Sequence, residues 1–205
     1  AHLTNWDEAW YADIARNTVN TGNLITLVWN KEPFFDKPPL YFWLSAVVFK
    51  VFNSTEFSAR FLAALSGLGI GILVYSLGRM LFNKEIALLS LIILFSTIGF
   101  LYRTRTGNLD SLLTFWILLS IYSFYKGYLT NSKIWFYIFG VSLGFGFLTK
   151  GVVSLLFPII AGLYLLFNKE YKIIKSSFFL KGIILGLIIP FVWILISFSV
   201  NGQQF

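Results

Sequence analysis

The chain has 205 residues and is 57% hydrophobic with a mean hydropathy of +0.75, and only 12% of it is charged, about half the share usual in a soluble domain. That excludes an ordinary soluble globule and indicates a helical protein that crosses a membrane several times. The net charge of +7 does not point to nucleic acid, because the Lys and Arg residues fall between apolar segments rather than in a basic run interleaved with aromatics, and the absence of Cys removes disulfides and thiolate metal sites.

The chain opens on TNWDEAWYADIARN, Thr4 to Asn17, with the carboxylates Asp7, Glu8 and Asp13 inside seven residues. This stretch reads as an amphipathic helix with a weak apolar side of Ala9, Ala12, Ile14 and Ala15, with Trp10 and Tyr11 suited to a membrane interface. Asp7 and Glu8 fall in its first turn, where carboxylates favour the helix dipole. No initiator Met, signal peptide or first apolar span precedes it, and the chain closes on NGQQF just after an apolar segment, so a fragment of a longer protein is expected. The one His, His2, reads as a stray terminal residue.

Next comes FFDKPPLYFW, with Asp36 and Lys37 directly before Pro38 and Pro39, which suit the first turn of a helix. The run Leu40–Phe52 is apolar for 13 residues and carries Lys50. That is too short to cross, and its leading aromatics suit a helix lying flat at the interface. Six segments are then long and apolar enough to span: Phe57–Phe82, Ile86–Tyr102, Asp110–Tyr128, Ile134–Thr149, Val152–Phe167 and Phe178–Ser199. The fourth and fifth are short and are separated by Lys150-Gly151. None alternates polar and apolar residues, which excludes barrel strands.

With Leu40–Phe52 flat, the loops after spans one, three and five share a side. They carry Arg79, Lys84, Lys126, Lys133, Lys169, Lys172, Lys175 and Lys181 against Glu85 and Glu170. The positive-inside rule makes that side cytoplasmic. Asn83 and Ser132 then face the cytoplasm, while Asn5 and Asn108 face outward together with Asp7, Glu8, Asp13, Asp36 and Asp110.

Four outer-face features carry possible chemistry. The acid pair Asp7-Glu8 serves as a proton acceptor or as a charged first turn. Lys37, at the head of the interfacial run, meets an anion or simply snorkels. In LYRTRTGNLDSLLTF, Arg103 and Arg105 beside Asp110 suit phosphate recognition, although Asn108 and Asp110 also read as caps of the third span. Lys150 is an ionisable residue between two apolar runs, hence a functional candidate or a loop marker. Together, carboxylates to deprotonate a hydroxyl, cations to stabilise a phosphate leaving group and an apolar cavity for a lipid tail suit transfer from a lipid phosphate.

The ordered stretches DEAWYADIAR, DKPPLYFW, SARFLAALSGLGIGILVYSLGR, RTGNLDSLLTFW and LTKGVVSLLFP resemble the superfamily of dolichyl-phosphate-mannose protein mannosyltransferases and aminoarabinose lipid A transferases. These are integral-membrane glycosyltransferases of the GT-C fold, and the resemblance covers nearly the whole chain. It implies an all-α polytopic membrane protein, a GT-C-like helical bundle with interfacial helices in the first outer loop. The corresponding division is a loop over residues 1–55, about six transmembrane helices over 56–199 and the start of the next outer loop at 200–205.

The resemblance also implies a polyprenyl-phosphate sugar donor and a lipid, glycan or protein acceptor. Asp7 matches the catalytic acid of the first outer loop, Glu8 its partner and Asp110 the second outer acid. Lys37 and Lys150 match basic residues near the donor phosphate, and Arg105 an Arg of the protein mannosyltransferase branch. Asp36 stands where the lipid A branch places a divalent-metal ligand, but the later His of that branch has no counterpart here. The expected reaction is a single inverting displacement with Asp7 as general base, at the extracytoplasmic face of a bacterial inner or plasma membrane. The contrasting reading is a transporter or lipid flippase module. Transporters place ionisable groups near the midplane in broken spans, whereas these charges fall at span ends. A structural subunit without activity is a third reading.

Overall fold

The computed structural model describes residues 3, 6–170 and 176–205. Asn5, Lys172 and Lys175 lie outside the described residues. The chain forms α1 (Trp6–Thr21), a hairpin of β1 (Leu27–Trp29) and β2 (Glu32–Phe34), α2 (Leu40–Phe52), α3 (Glu56–Leu81), α4 (Lys84–Ser96), α5 (Ile98–Arg105), α6 (Leu109–Thr130), α7 (Lys133–Lys150), a 3-10 turn (Gly151–Leu155), α8 (Leu156–Phe167) and α9 (Ser177–Asn201).

Two layers result. Residues 6–52 fold into a cap of α1, the hairpin and α2 over one end of the helical bundle. Its core is an aromatic cluster in which Tyr11, Phe34, Tyr41 and Phe42 pack with Leu62 of α3 and with Leu109 and Leu112 of α6. The buried side of α1 is Glu8, Tyr11, Ile14, Ala15 and Thr18. Of the apolar side expected from the sequence, Ile14 and Ala15 are buried and Ala12 partly so; the correction is that Ala9 is exposed and that Tyr11 belongs to the core rather than to a membrane interface. The reason is that the aromatic core offers Tyr11 far more apolar contact than an alanine would gain. The hairpin was also not expected. Asn30 and Lys31 both take positive φ, 51° and 68°, as a two-residue turn matched to strand twist requires, and Leu27 pairs with Phe34.

Helix α2 has the limits expected from its apolar run and starts at Pro39. It buries Tyr41, Phe42, Ser45, Ala46 and Phe49 and exposes Val47, Val51 and Phe52.

Among the described residues, four helical stretches are long and apolar enough to cross a membrane: Glu56–Leu81, Leu109–Thr130, Lys133–Phe167 and Ser177–Gln204. The expected span Ile86–Tyr102 is the bent pair α4 and α5, which together are long and apolar enough to cross but carry a 66° break, the geometry of a broken span or a re-entrant loop. Thr97 makes the break. It is extended (φ −76°, ψ 117°), and its hydroxyl donates to Ile93 O at 2.8 Å, so the side chain replaces a helical backbone bond.

The stretch Lys133–Phe167 is folded back on itself. Phe139 and Phe157 have ring centroids 6.2 Å apart, whereas 18 residues of straight helix would separate them by about 27 Å. The reversal uses Gly151, whose φ is +67°. The arm expected over Val152–Phe167 therefore starts as 3-10 helix and becomes α-helical only at Leu156.

Helices α7 and α9 approach closely through small residues, as membrane helices do. A Cβ on Gly140 would collide with Gly182 O, one on Gly182 with Phe136 O, and one on Gly186 with Gly140 O.

The two ends of the bundle differ. At one end lie the cap, the start of α3, the α5–α6 turn and the ends of α7 and α9; Thr26 donates to Asn201 Oδ1 at 2.6 Å. At the other, Lys126 sits 4.1 Å from the ring centroid of Trp135, and the Tyr128 hydroxyl donates to Glu170 at 2.8 Å.

Candidate active site

Glu8, in the first turn of α1, is 1% exposed. Arg60 Nε donates to its Oε1 at 2.6 Å and Arg60 Nη2 to its Oε2 at 2.9 Å. The Gly107 backbone N–H donates to Oε1 at 2.9 Å. One buried carboxylate thus ties α1 to α3 and to the α5–α6 turn, paired and hydrogen-bonded as a buried charge must be. Gly107 permits it: a Cβ there would meet Ala59 O at 2.8 Å and Glu8 Cγ at 3.4 Å.

The same turn presents Asp110. Asn108 caps α6 by accepting from Ser111 N at 3.1 Å, and its amide donates to Arg103 O and Thr106 O at 2.5 and 2.7 Å. The expectation that Asn108 and Asp110 both act as caps is corrected for Asp110, whose carboxylate points to cations. Lys150 Nζ donates to Oδ1 at 2.5 Å, and Arg103 Nη1 lies 3.2 Å from Oδ2. The three side chains are roughly one-third to one-half exposed. Helix ends bring them together: the last turn of α5, the first turn of α6 and the last residue of α7. Two cations around one carboxylate leave a local positive charge open to solvent.

Asp7 is half-buried and forms no ion pair or hydrogen bond among the described residues. One helical turn further along α1, the phenol of Tyr11 is pushed up to about 12, first by burial and then by the carboxylates of Asp7 and Asp110. Both acids therefore lie within electrostatic reach of one hydroxyl. Lys37 is half-buried and Arg105 exposed, and neither forms an ion pair among the described residues. Asp36 is exposed. Among the described residues no three His, Cys, Asp or Glu side chains approach one another as a metal site built from such side chains requires.

Residues 36–196 match the family described as dolichyl-phosphate-mannose-protein mannosyltransferase. The chain belongs to this family. The GT-C membrane transferase fold expected from the sequence is the fold found. It superposes on the crystal structure of ArnT from Cupriavidus metallidurans in the apo state with a TM-score of 0.91 at 24% identity, over 98% of this chain and 39% of that one. ArnT bound to undecaprenyl phosphate gives 0.89 at 23% identity. Among curated proteins, the undecaprenyl phosphate-alpha-4-amino-4-deoxy-L-arabinose arabinosyl transferase of Wigglesworthia glossinidia brevipalpis is 32% identical over 83% of this chain and 31% of its own length. An uncharacterised Aquifex aeolicus protein is 29% identical over 97% of this chain and 40% of its own length. The chain thus spans well under half the length of these relatives.

Within this mannosyltransferase-family chain, the fold brings Asp110, Arg103 and Lys150 into direct contact and puts Asp7 and Asp110 within electrostatic reach of Tyr11. Glu8 turns away from that group to Arg60. Sequence reasoning missed Arg60 and Tyr11. Arg60 carried a readable signal, a charged side chain inside an otherwise apolar span. Tyr11 carried none, since its placement depends on residues about 100 positions away.

Proposed function

We propose that this chain is part of an integral-membrane glycosyltransferase that moves a sugar from a polyprenyl phosphate to an acceptor hydroxyl, with inversion. The observation that carries the reading is the meeting of Asp110, Arg103 and Lys150 where helix ends abut the cap, with the carboxylates of Asp7 and Asp110 both within electrostatic reach of the Tyr11 phenol. Two likenesses support it: one matching ArnT structure is bound to undecaprenyl phosphate, and several of the curated relatives are named as undecaprenyl phosphate-alpha-4-amino-4-deoxy-L-arabinose arabinosyl transferases. Asp7 takes the proton of the acceptor hydroxyl. The acceptor oxygen forms its bond to the anomeric carbon as the bond from that carbon to the phosphate oxygen breaks. The electron pair leaves on the polyprenyl phosphate, whose charge is stabilised by Lys37, Arg103, Arg105 and Lys150. The charged groups sit at helix ends rather than midway along the spans, which disfavours a transport module.

The phosphate site is tested by Lys37→Ala and Arg105→Ala in the full-length protein. Each removes a cation without an ion pair among the described residues, so folding should hold. Losing one charge-assisted contact, about 1.5–3 kcal/mol, should weaken use of the lipid-phosphate donor roughly tenfold to over a hundredfold. Unchanged donor kinetics in both variants would remove these two residues from the site.

We also propose that the cap and the acid site are extracytoplasmic, with residues 1–55 as the first outer loop and 56–199 as the spanning part, in a bacterial inner or plasma membrane. Asn108 is buried and unsuited to labelling, whereas Asn20 and Thr130 are exposed at the two ends. In the Cys-free background, an impermeant maleimide applied to intact cells should label Asn20→Cys and spare Thr130→Cys. The reverse pattern would invert the topology.

A further inference from the structure

Tyr11 belongs to the cap core by its ring and to the acid site by its hydroxyl. The ring packs edge-on against Tyr41 and Phe42, each with centroids 5.8 Å away, and stacks on Trp10 at 5.4 Å. It also shares a cluster with Leu109, the residue before Asp110. The residue is 8% exposed, yet its hydroxyl oxygen is not among the fully enclosed polar atoms without a partner, as Trp10 Nε1 and Ser45 Oγ are. The hydroxyl makes no hydrogen bond among the described residues. On a helix, residues i and i+4 share a face, so it opens on the side of Asp7.

We propose that the Tyr11 hydroxyl is a substrate-holding group of the Asp7–Asp110 site and that its ligand is an alcohol hydroxyl. This rests on the glycosyltransferase reading above. The chemistry selects the ligand. Burial and the two carboxylates keep the phenol protonated well above neutral pH, so it donates one hydrogen bond. A phosphate oxygen carries no proton to donate to a carboxylate. An alcohol O–H fits, because it donates to a carboxylate while its oxygen accepts from the phenol. The acceptor hydroxyl and a hydroxyl of the donor sugar share this chemistry. The rigid aromatic cage fixes the phenol in place, so little entropy is lost when it binds.

The test is Tyr11→Phe in the full-length protein, assayed separately against acceptor and polyprenyl-phosphate sugar, with Tyr41→Phe as a control in the same cage. The ring stays, so thermal stability should be close to that of the unsubstituted protein. Loss of one neutral hydrogen bond should lower kcat/KM about tenfold for one substrate. A fall confined to the acceptor identifies the acceptor hydroxyl, and one confined to the donor identifies a sugar hydroxyl. Unchanged kcat/KM for both, or a kinetic loss matched by lost stability and shared by Tyr41→Phe, would overturn the proposal. Asp7→Asn separates the two levels. If Asp7→Asn is inactive and Tyr11→Phe is normal, only the tyrosine assignment fails; if Asp7→Asn is active, the glycosyltransferase reading of the site fails with it.

Discussion

Asp7→Asn in the full-length protein is expected to fold, to retain donor binding and to lose about a hundredfold or more in turnover, the usual scale for a positioned base. Two roles compete for Asp7. In the first turn of α1 a carboxylate favours the helix dipole, and Asn keeps the size and most of the polar capping ability, so a purely structural Asp7 predicts near-normal turnover. The geometry favours the base. Glu8 already satisfies the buried anchoring role through Arg60 and Gly107. Asp7 has no such partner among the described residues and lies within electrostatic reach of Tyr11, as Asp110 also does. Asp110, by contrast, has both carboxylate oxygens engaged by Lys150 and Arg103. Single-turnover rates with saturating donor, alongside a thermal melt in detergent, separate the roles. Near-normal turnover in well-folded Asp7→Asn would leave the first turn as a capped helix end.

Arg60→Ala is expected to destabilise the fold by about 3–5 kcal/mol, the range for removing one partner of a buried ion pair. Glu8 is 1% exposed, so without Arg60 its charge stays buried after losing the guanidinium's hydrogen bonds. The loss reaches beyond α3, because the same carboxylate holds α1 and the α5–α6 turn that presents Asp110. Glu8→Gln should be milder. It retains an oxygen for Gly107 N–H, and the Arg60 side chain is 23% exposed, so water solvates part of the released guanidinium. The double variant Glu8→Gln/Arg60→Ala should be more stable than the sum of the single losses, since it removes both charges of the pair. Thermal or denaturant unfolding of the four proteins closes the cycle. Strict additivity would show that the two side chains do not act as a pair.

Much of this architecture was legible in the sequence because it depends on short-range rules. Apolar run length distinguishes a crossing helix from the 13-residue α2, Pro38 and Pro39 mark where α2 begins, and Lys150-Gly151 marks a chain reversal. The outer-face acids and cations were also legible as candidates, since charges are rare in such a chain. What the sequence left undecided were matters of partnership between distant residues. Thr97 splits an apolar run that composition reads as one span, because a single hydroxyl competes for a helical bond. The adjacent acids Asp7 and Glu8 look interchangeable in one dimension. A helix rotates neighbours by about 100°, so one enters the protein to meet Arg60 and Gly107 and the other faces the Asp110 side. Asp110 reads as a helix cap until α5 and α7 deliver Arg103 and Lys150 to it. Only the tertiary structure assigns these roles, because the energy of a buried or half-buried charge is set by which counter-charges and N–H groups the fold brings to it, and Lys150, Arg60 and Gly107 come from 40, 52 and 99 residues away.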